Sequence, residues 1–428
     1  MGREFVREAL QHYEFVKDPE VVGAVNEVGR RIVEAIGSNP ASYHFLIVRE
    51  DQPNAFAIPG GYIFVFDGLL MQVGDLSELA GVLSHEIAHV ERNHFFKDEK
   101  KTAALDIATI AAILLGGGSP ASLMIAGAAN LNVRLQFSRE NETEADSYAV
   151  RFLKKAGYDP MGLPGFFKSM LRYERFNPQM VPAYLSTHPD MEVRFNRLEG
   201  LLEKDAPVQV RGSETDWGRI SAILAARGRA TREASALWHA LRLDQLPSDL
   251  GPEKREERQH YLMGLTYLKA NQVSQAIPEY LAAIGNDPGN PAYTADLSLA
   301  YLRRQDLKEA RAAAEQSLQS DPLYAPAHVV LGMLEESSDN PAEATRHFEE
   351  AVRLNPADPV PNLHLSMIYG KGGDPLQETL YRAYYYRLNL EPEKALRELK
   401  RAQSMAGENS PQNVRILRDI EEIQREGL

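Results

Sequence analysis

Ser84-His85-Glu86-Ile87-Ala88-His89-Val90 sets two imidazoles four residues apart, with a carboxylate directly after the first. On a helix, four residues make a little over one turn, so both rings project from one face. That is the spacing two nitrogen donors need to hold one zinc ion. Glu86 stands about 100° around the helix. From there it can reach a water held by the metal and act as its general base. Leu79-Ala80-Gly81-Val82-Leu83, just upstream, is apolar, as expected of a helix that runs through a core.

Three fixed positions can arise by chance, so the motif needs a third ligand. His94 is five residues past His89, roughly 140° around the helix, and cannot share the metal unless the helix breaks. The metzincin pattern fails as well, because Arg92 and Phe95 occupy its glycine and histidine positions. His94 therefore reads as a supporting or structural histidine. Ser138-Arg139-Glu140-Asn141-Glu142-Thr143-Glu144-Ala145-Asp146 offers more, since Glu142 and Asp146 are again four apart on an expected helix. Two carboxylates on one face can divide the labour: one completes a His-His-Glu site, and the other accepts the ring N–H of a ligand histidine. The competing reading is a solvated acidic face.

Taken together, His85-Glu86-x-x-His89 and Ser138-Arg139-x-x-Glu142-x-x-Ala145-Asp146 resemble the HtpX-type zinc endopeptidase family, which includes the CAAX prenyl endopeptidases. Asn54-Ala55-Phe56-Ala57-Ile58-Pro59-Gly60-Gly61 and Thr187-His188-Pro189 resemble it too, so the likeness covers roughly residues 1–200. It implies one zinc per chain on His85, His89 and Glu142, with Asp146 hydrogen-bonded to His85 in support. It also implies that Asn54 and Ala55 contact the substrate backbone and that His188 lies near the metal. There His188 would either stabilise the oxyanion or occupy the open coordination position and keep the enzyme latent; an ordinary loop histidine is the alternative. Pro189 stiffens the backbone beside it. Arg194 is a further candidate for binding substrate or orienting that loop.

The whole chain has 428 residues, enough for two or more domains. With 44% hydrophobic and 25% charged residues it has the composition of a globular protein. A net charge of -13 argues against nucleic acid as partner. The absence of cysteine excludes disulfides and thiolate metal sites without locating the protein. Residues 1–20 contain no signal-like apolar run. Gly2-Arg3-Glu4-Phe5 resembles a point inside the family's N-terminal helix, so a truncated chain or a removed export signal is expected. The resemblance implies a periplasmic location.

Along the chain, residues 3–16 and 19–36 read as helices, with Asp18-Pro19 as a start signal. Tyr43–Val48, Asn54–Ile58 and Tyr62–Phe66 read as strands of a small antiparallel sheet. An edge of that sheet can pair with an extended substrate through main-chain hydrogen bonds, or simply pack the core. Ala103–Leu115 and Ala121–Leu131 are apolar runs too short to span a bilayer. They read as a helical hairpin that packs on the core, covers the site or touches a membrane surface. Past Ala206–Ser213, Gly264, Tyr267, Ala276, Tyr280, Ala283 and Pro288 match the positions of a tetratricopeptide (TPR) repeat, and matches recur at successive shifts of 34 residues. Trp217–Leu243 reads as a degenerate leading repeat and Tyr381–Met405 as a final one, displaced by an insertion near Pro359–Pro375.

The fold class expected is therefore α+β: a mostly helical, zincin-like metallopeptidase domain over 1–205, then an all-α TPR solenoid over 213–428. The expected activity is endoproteolysis of misfolded or unassembled proteins, with Glu86 as base and the solenoid recruiting protein partners. By resemblance, those partners are outer-membrane proteins or their assembly machinery. The other reading is a chaperone or assembly scaffold whose protease site is mostly shut by His188.

Overall fold

Asp18 begins the first long helix through its side chain. In the computed structural model, which describes residues 2–94, 138–176, 183–203, 216–226, 252–407 and 410–426, its carboxylate accepts from the Glu20 and Val21 amides. After a first helix α1 (Gly2–His12), α2 (Pro19–Ile36) thus starts on a capped turn with proline at its first position. It ends at Gly37 in the left-handed conformation, φ 84°. Val21, Val25, Val28 and Ile32 form its buried stripe. The chain divides into two units, Met1–Trp217 and Gly218–Leu428.

In the first unit, β1 (His44–Val48), β2 (Ala55–Ile58) and β3 (Tyr62–Phe66) form a sheet in the order β1-β3-β2. The sheet is mixed rather than antiparallel. β2 and β3 pair antiparallel across the Pro59-Gly60-Gly61 turn, whereas β1 pairs parallel with β3, His44 facing Tyr62 and Val48 facing Phe66. Strand direction leaves no trace in a run of buried residues, and all five residues of the central β3 are buried. The outer edge of β1 is bridged by Phe15 against Val48, which leaves β2 as the other end of the sheet.

A short α3 (Asp67–Leu70) leads to α4 (Leu76–Glu91), which carries the histidine motif. Asp75 accepts from the Glu78 amide at 2.8 Å, and Glu78 accepts from the Gly74 amide at 2.8 Å, a reciprocal cap. Every residue from Leu79 to His89 is buried. α5 (Arg139–Ala156), which carries the carboxylate motif, is capped by Ser138 accepting from the Asn141 amide. α4 packs against α5, α2 and α6 (Gly162–Phe176), with β2 alongside. Two glycines let the α4 and α6 backbones touch. A Cβ on Gly81 would lie 2.6 Å from the Leu163 nitrogen, and one on Gly162 would lie 1.9 Å from the Ser77 carbonyl oxygen.

Gly81→Ala is therefore expected to push α4 off α6 and destabilise the unit by about 1–3 kcal/mol. α7 (Ala183–Thr187) and α8 (Met191–Leu202) follow in this unit, and among the described residues nothing lies within 4 Å of where a Cβ on Gly200 of α8 would stand. Gly200→Ala is thus the matched control, expected to be neutral or slightly stabilising. Thermal unfolding of both variants checks this; equal midpoints would contradict it.

In the second unit, α9 (Trp217–Ala225) is followed by α10 (Pro252–Lys269), α11 (Val273–Asn286), α12 (Pro291–Arg304), α13 (Leu307–Ser320), α14 (Ala325–Ser337) and α15 (Pro341–Leu354). Then come α16 (Pro359–Lys371), α17 (Pro375–Leu388), α18 (Pro392–Met405) and α19 (Pro411–Glu426). Consecutive helices pack as neighbours from α10 onward. In the third pair, Ala344, Phe348 and Ala351 pack with Val329 and Leu365. Residues 359–375, expected as an insertion, are instead a regular helix and the start of the next. Asp358 and Asp374 cap these helices, and their prolines sit in the first turn, where proline starts a helix rather than breaking one. Tyr384 and Tyr386 pack against the cluster of Leu380, Ala383 and Leu399.

The apolar runs at 103–115 and 121–131, the 206–213 boundary and residues 227–243 lie outside the described residues. Among the described residues no helix is long and apolar enough to cross a membrane.

Candidate metal centre

Five of the seven side chains that meet at one point in the first unit come from the two motif helices. α4 brings His85, Glu86 and His89, and α5 brings Glu142 and Asp146. His188 follows α7, and Arg194 comes from α8. The donor atoms of His85, His89, Glu142 and His188 all lie within 4.8 Å of one another. His85 Nε2 is 3.0 Å from His89 Nε2 and 3.4 Å from Glu142 Oε2. His89 Nε2 is 3.4 Å from Glu142 Oε1. His188 Nδ1 is 3.3 Å from His85 Nε2 and 3.0 Å from Glu142 Oε1. Tetrahedral zinc, with bonds of about 2.0–2.1 Å, sets its donors roughly 3.3 Å apart. The four side chains thus bring one donor atom each close enough together for a single ion.

Glu86 is fully buried, and among the described residues neither carboxylate oxygen has a hydrogen-bond partner. A buried carboxylate with no donor is costly unless something else, such as a water on a metal, satisfies it. Burial raises its pKa above the ordinary carboxylate range. His188 Nε2 lies 3.6 Å from Glu86 Oε1.

The electrostatics also suit a cation. Burial alone would push the His85 ring toward neutrality, but the Glu142 charge and the hydrogen bond with Asp146 outweigh it and lift the ring to about 9. A field that holds a proton this firmly attracts a metal ion in its place. Burial holds His89 well below its usual range, which favours the neutral ring that a metal ligand needs. Burial would raise Glu142, yet the charges of His188, Arg194 and His85 keep it well below the usual range. Asp146 is opposed by burial in the same way and is carried down to about 2, chiefly by Arg194.

Asp146 Oδ1 stands 3.2 Å from His85 Nδ1, the nitrogen that faces away from the donor cluster. Arg194 is buried and spends its guanidinium here: Nε and Nη2 donate to Asp146 at 3.0 and 2.6 Å, and Nη1 is 2.5 Å from Glu142 Oε2. Its place is thus among the carboxylates, stacked 4.6 Å over the Phe167 ring, and not on a surface open to substrate. Arg197 adds a bond to Asp146 Oδ2 at 2.7 Å. His94 turns back to set Nδ1 3.0 Å from His89 Nδ1. Asn54 and Ala55 stand outside the cluster, buried at the start of β2, where the Asn54 carbonyl accepts from the Phe66 amide.

Sequence reasoning missed Tyr184. Its ring is fully buried and stacks on His188 at 4.4 Å, and its amide donates to the Pro53 carbonyl just before β2. The four-residue spacing from Tyr184 to His188 was its one sequence signal. It was obscured because the segment reads as a loop.

Comparisons with known proteins agree with this layout. Residues 19–202 match peptidase family M48, and residues 261–325 and 296–359 match the tetratricopeptide repeat. The beta-barrel assembly-enhancing protease of Escherichia coli (strain K12) is 27% identical over 307 residues, covering 68% of this chain and 60% of its own length. The mitochondrial metalloendopeptidase OMA1 of Schizosaccharomyces pombe is 31% identical over 193 residues, 45% of this chain and 55% of its own. Metalloprotease LoiP of Escherichia coli (strain K12) is 31% identical over 149 residues, 33% of this chain and 58% of its own. The chain spans about 60% of the length of the first of these relatives.

Proposed function

We propose, for a chain that carries a peptidase family M48 domain over residues 19–202 followed by tetratricopeptide repeats, the activity of a zinc-dependent endopeptidase acting on misfolded or unassembled proteins. The observation that carries this reading is the buried quartet of donors beside a buried carboxylate that has no hydrogen-bond partner among the described residues. His85, His89 and Glu142 would hold the ion. Zinc bound there supplies a Lewis acid and a water whose pKa falls toward about 7. Glu86 would serve as the general base, taking a proton from a water and returning it to the leaving amine. Asp146, held by Arg194 and Arg197, would fix the His85 tautomer and leave Nε2 to the donor cluster.

His188 is assigned the resting state. Its Nδ1 lies among the donor atoms, where it would fill the position that substrate needs. Its loop is tied down by the stacked Tyr184 and by an Arg139–Asp190 pair at 2.7 Å whose arginine is 80% exposed. An exposed pair of this kind is worth about 0–1 kcal/mol, so it adds little to the hold of the buried ring stack. β2, an end strand beside α4, is the edge on which an extended substrate would pair, with Asn54 and Ala55 at its start.

The repeats are the natural recruiting surface for protein partners. A role in outer-membrane protein assembly and quality control, in the periplasm, follows from likeness to the beta-barrel assembly-enhancing protease. The test is casein cleavage by the purified chain before and after chelation. Activity should disappear with chelator and return with added zinc; cleavage indifferent to chelator would overturn the reading. The second reading, a scaffold with a mostly shut protease site, draws on the burial of all four donors.

A further inference from the structure

His94 and Glu144 lie outside the set of donors, yet both are tied to it. α4 ends at Glu91 with Arg92 as its cap, and Asn93 takes the left-handed conformation, φ 52°, which few residues other than glycine adopt and asparagine tolerates. This turn stops the helix from carrying His94 around to the far side. Instead the fully buried His94 ring comes back against His89, with the two Nδ1 atoms 3.0 Å apart. Its Nε2 lies 3.0 Å from Glu144 Oε2 on α5. Arg92 Nε donates to the other oxygen, Glu144 Oε1, at 2.7 Å, and its guanidinium lies 4.8 Å over the Tyr148 ring.

Chemistry orients the protons along this line. If His89 Nε2 faces the ion, its Nδ1 carries the hydrogen. His94 Nδ1 must then accept, which puts the His94 hydrogen on Nε2, where it donates to Glu144. We infer that His94 and Glu144 are positioning residues, a histidine–carboxylate relay that fixes the tautomer and ring angle of His89 and strengthens its hold on zinc. The relay does for His89 what Asp146 does for His85, with one extra imidazole in the line. Arg92 fixes the carboxylate at its far end. This inference rests on the metal-centre reading above.

The experiment is zinc affinity by competition with a chromophoric chelator, on chelator-stripped full-length wild type, His94→Phe and Glu144→Ala. The thermal midpoint of each metal-free form is read alongside. Loss of such an outer partner typically costs about 10- to 100-fold in metal affinity. His94→Phe keeps the bulk and removes the acceptor, so it should fall in that range. Glu144→Ala, at a half-exposed position, should weaken binding several-fold with a metal-free midpoint close to wild type. A folded His94→Phe within about twofold of wild type would overturn the relay. If that variant does not fold, Glu144→Ala decides. Unchanged affinity there, with a lowered metal-free midpoint, would mean that the pair only braces the helix end. A wild type that takes up no zinc would defeat the metal-centre reading and the relay with it.

Discussion

Glu86→Gln is expected to lower proteolysis by about 10²–10⁴-fold, the usual contribution of a general base, while zinc stays bound. The amide is isosteric, so the buried pocket around residue 86 keeps its packing. It cannot accept a proton, so the step assigned to Glu86 is lost. Zinc retention follows because Glu86 points from a different face of α4 than His85 and His89. Casein cleavage and metal content on one preparation check both halves. Cleavage at wild-type rate in a carefully purified sample would remove Glu86 from the role of base. The same variant separates the enzyme from the scaffold: full rescue of a deletion strain by Glu86→Gln would favour the scaffold, and failure to rescue would favour proteolysis.

His188→Ala is the second large effect, expected to raise casein cleavage. The ring is buried, and its Nδ1 is 3.0 Å from Glu142 Oε1 and 3.3 Å from His85 Nε2, so in this state it occupies space that a substrate carbonyl would need. Its removal opens that position at the cost of the stack on Tyr184. Each tenfold gain would correspond to about 1.4 kcal/mol no longer spent on displacing the ring. Cleavage that falls instead would assign His188 to the oxyanion and make it catalytic. Zinc content should change little, since three donors remain.

What could be read from the sequence was what local spacing dictates. His85 and His89, and Glu142 and Asp146, are each four apart on helices, and that alone sets which side chains share a face. The helix start at Asp18 was legible from local sequence as well, as was the 34-residue recurrence of the repeats. What was hidden depends on contacts between elements. The parallel pairing of β1 with β3 leaves no periodic trace. Arg194 read as a candidate for binding substrate or orienting the His188 loop, because nothing near it in sequence shows that Glu142 and Asp146, about fifty residues upstream, engage its guanidinium. His94 read as a supporting or structural histidine, but its return to His89 depends on a single left-handed residue, Asn93. Prolines at 359 and 375 suggested an interruption where they in fact start helices, because a first-turn proline and a helix-breaking one look alike until the cap is known.

The central claim is that His85, His89 and Glu142 hold one zinc ion. The most direct measurement is metal content, by elemental analysis of freshly purified, undialysed protein, for wild type beside Glu142→Ala. The account predicts about one zinc per wild-type chain, the single-ion stoichiometry of a catalytic site, and a clear loss in the variant. Wild type without zinc, or a variant that retains it in full, would contradict the account and leave the repeat scaffold as the better description.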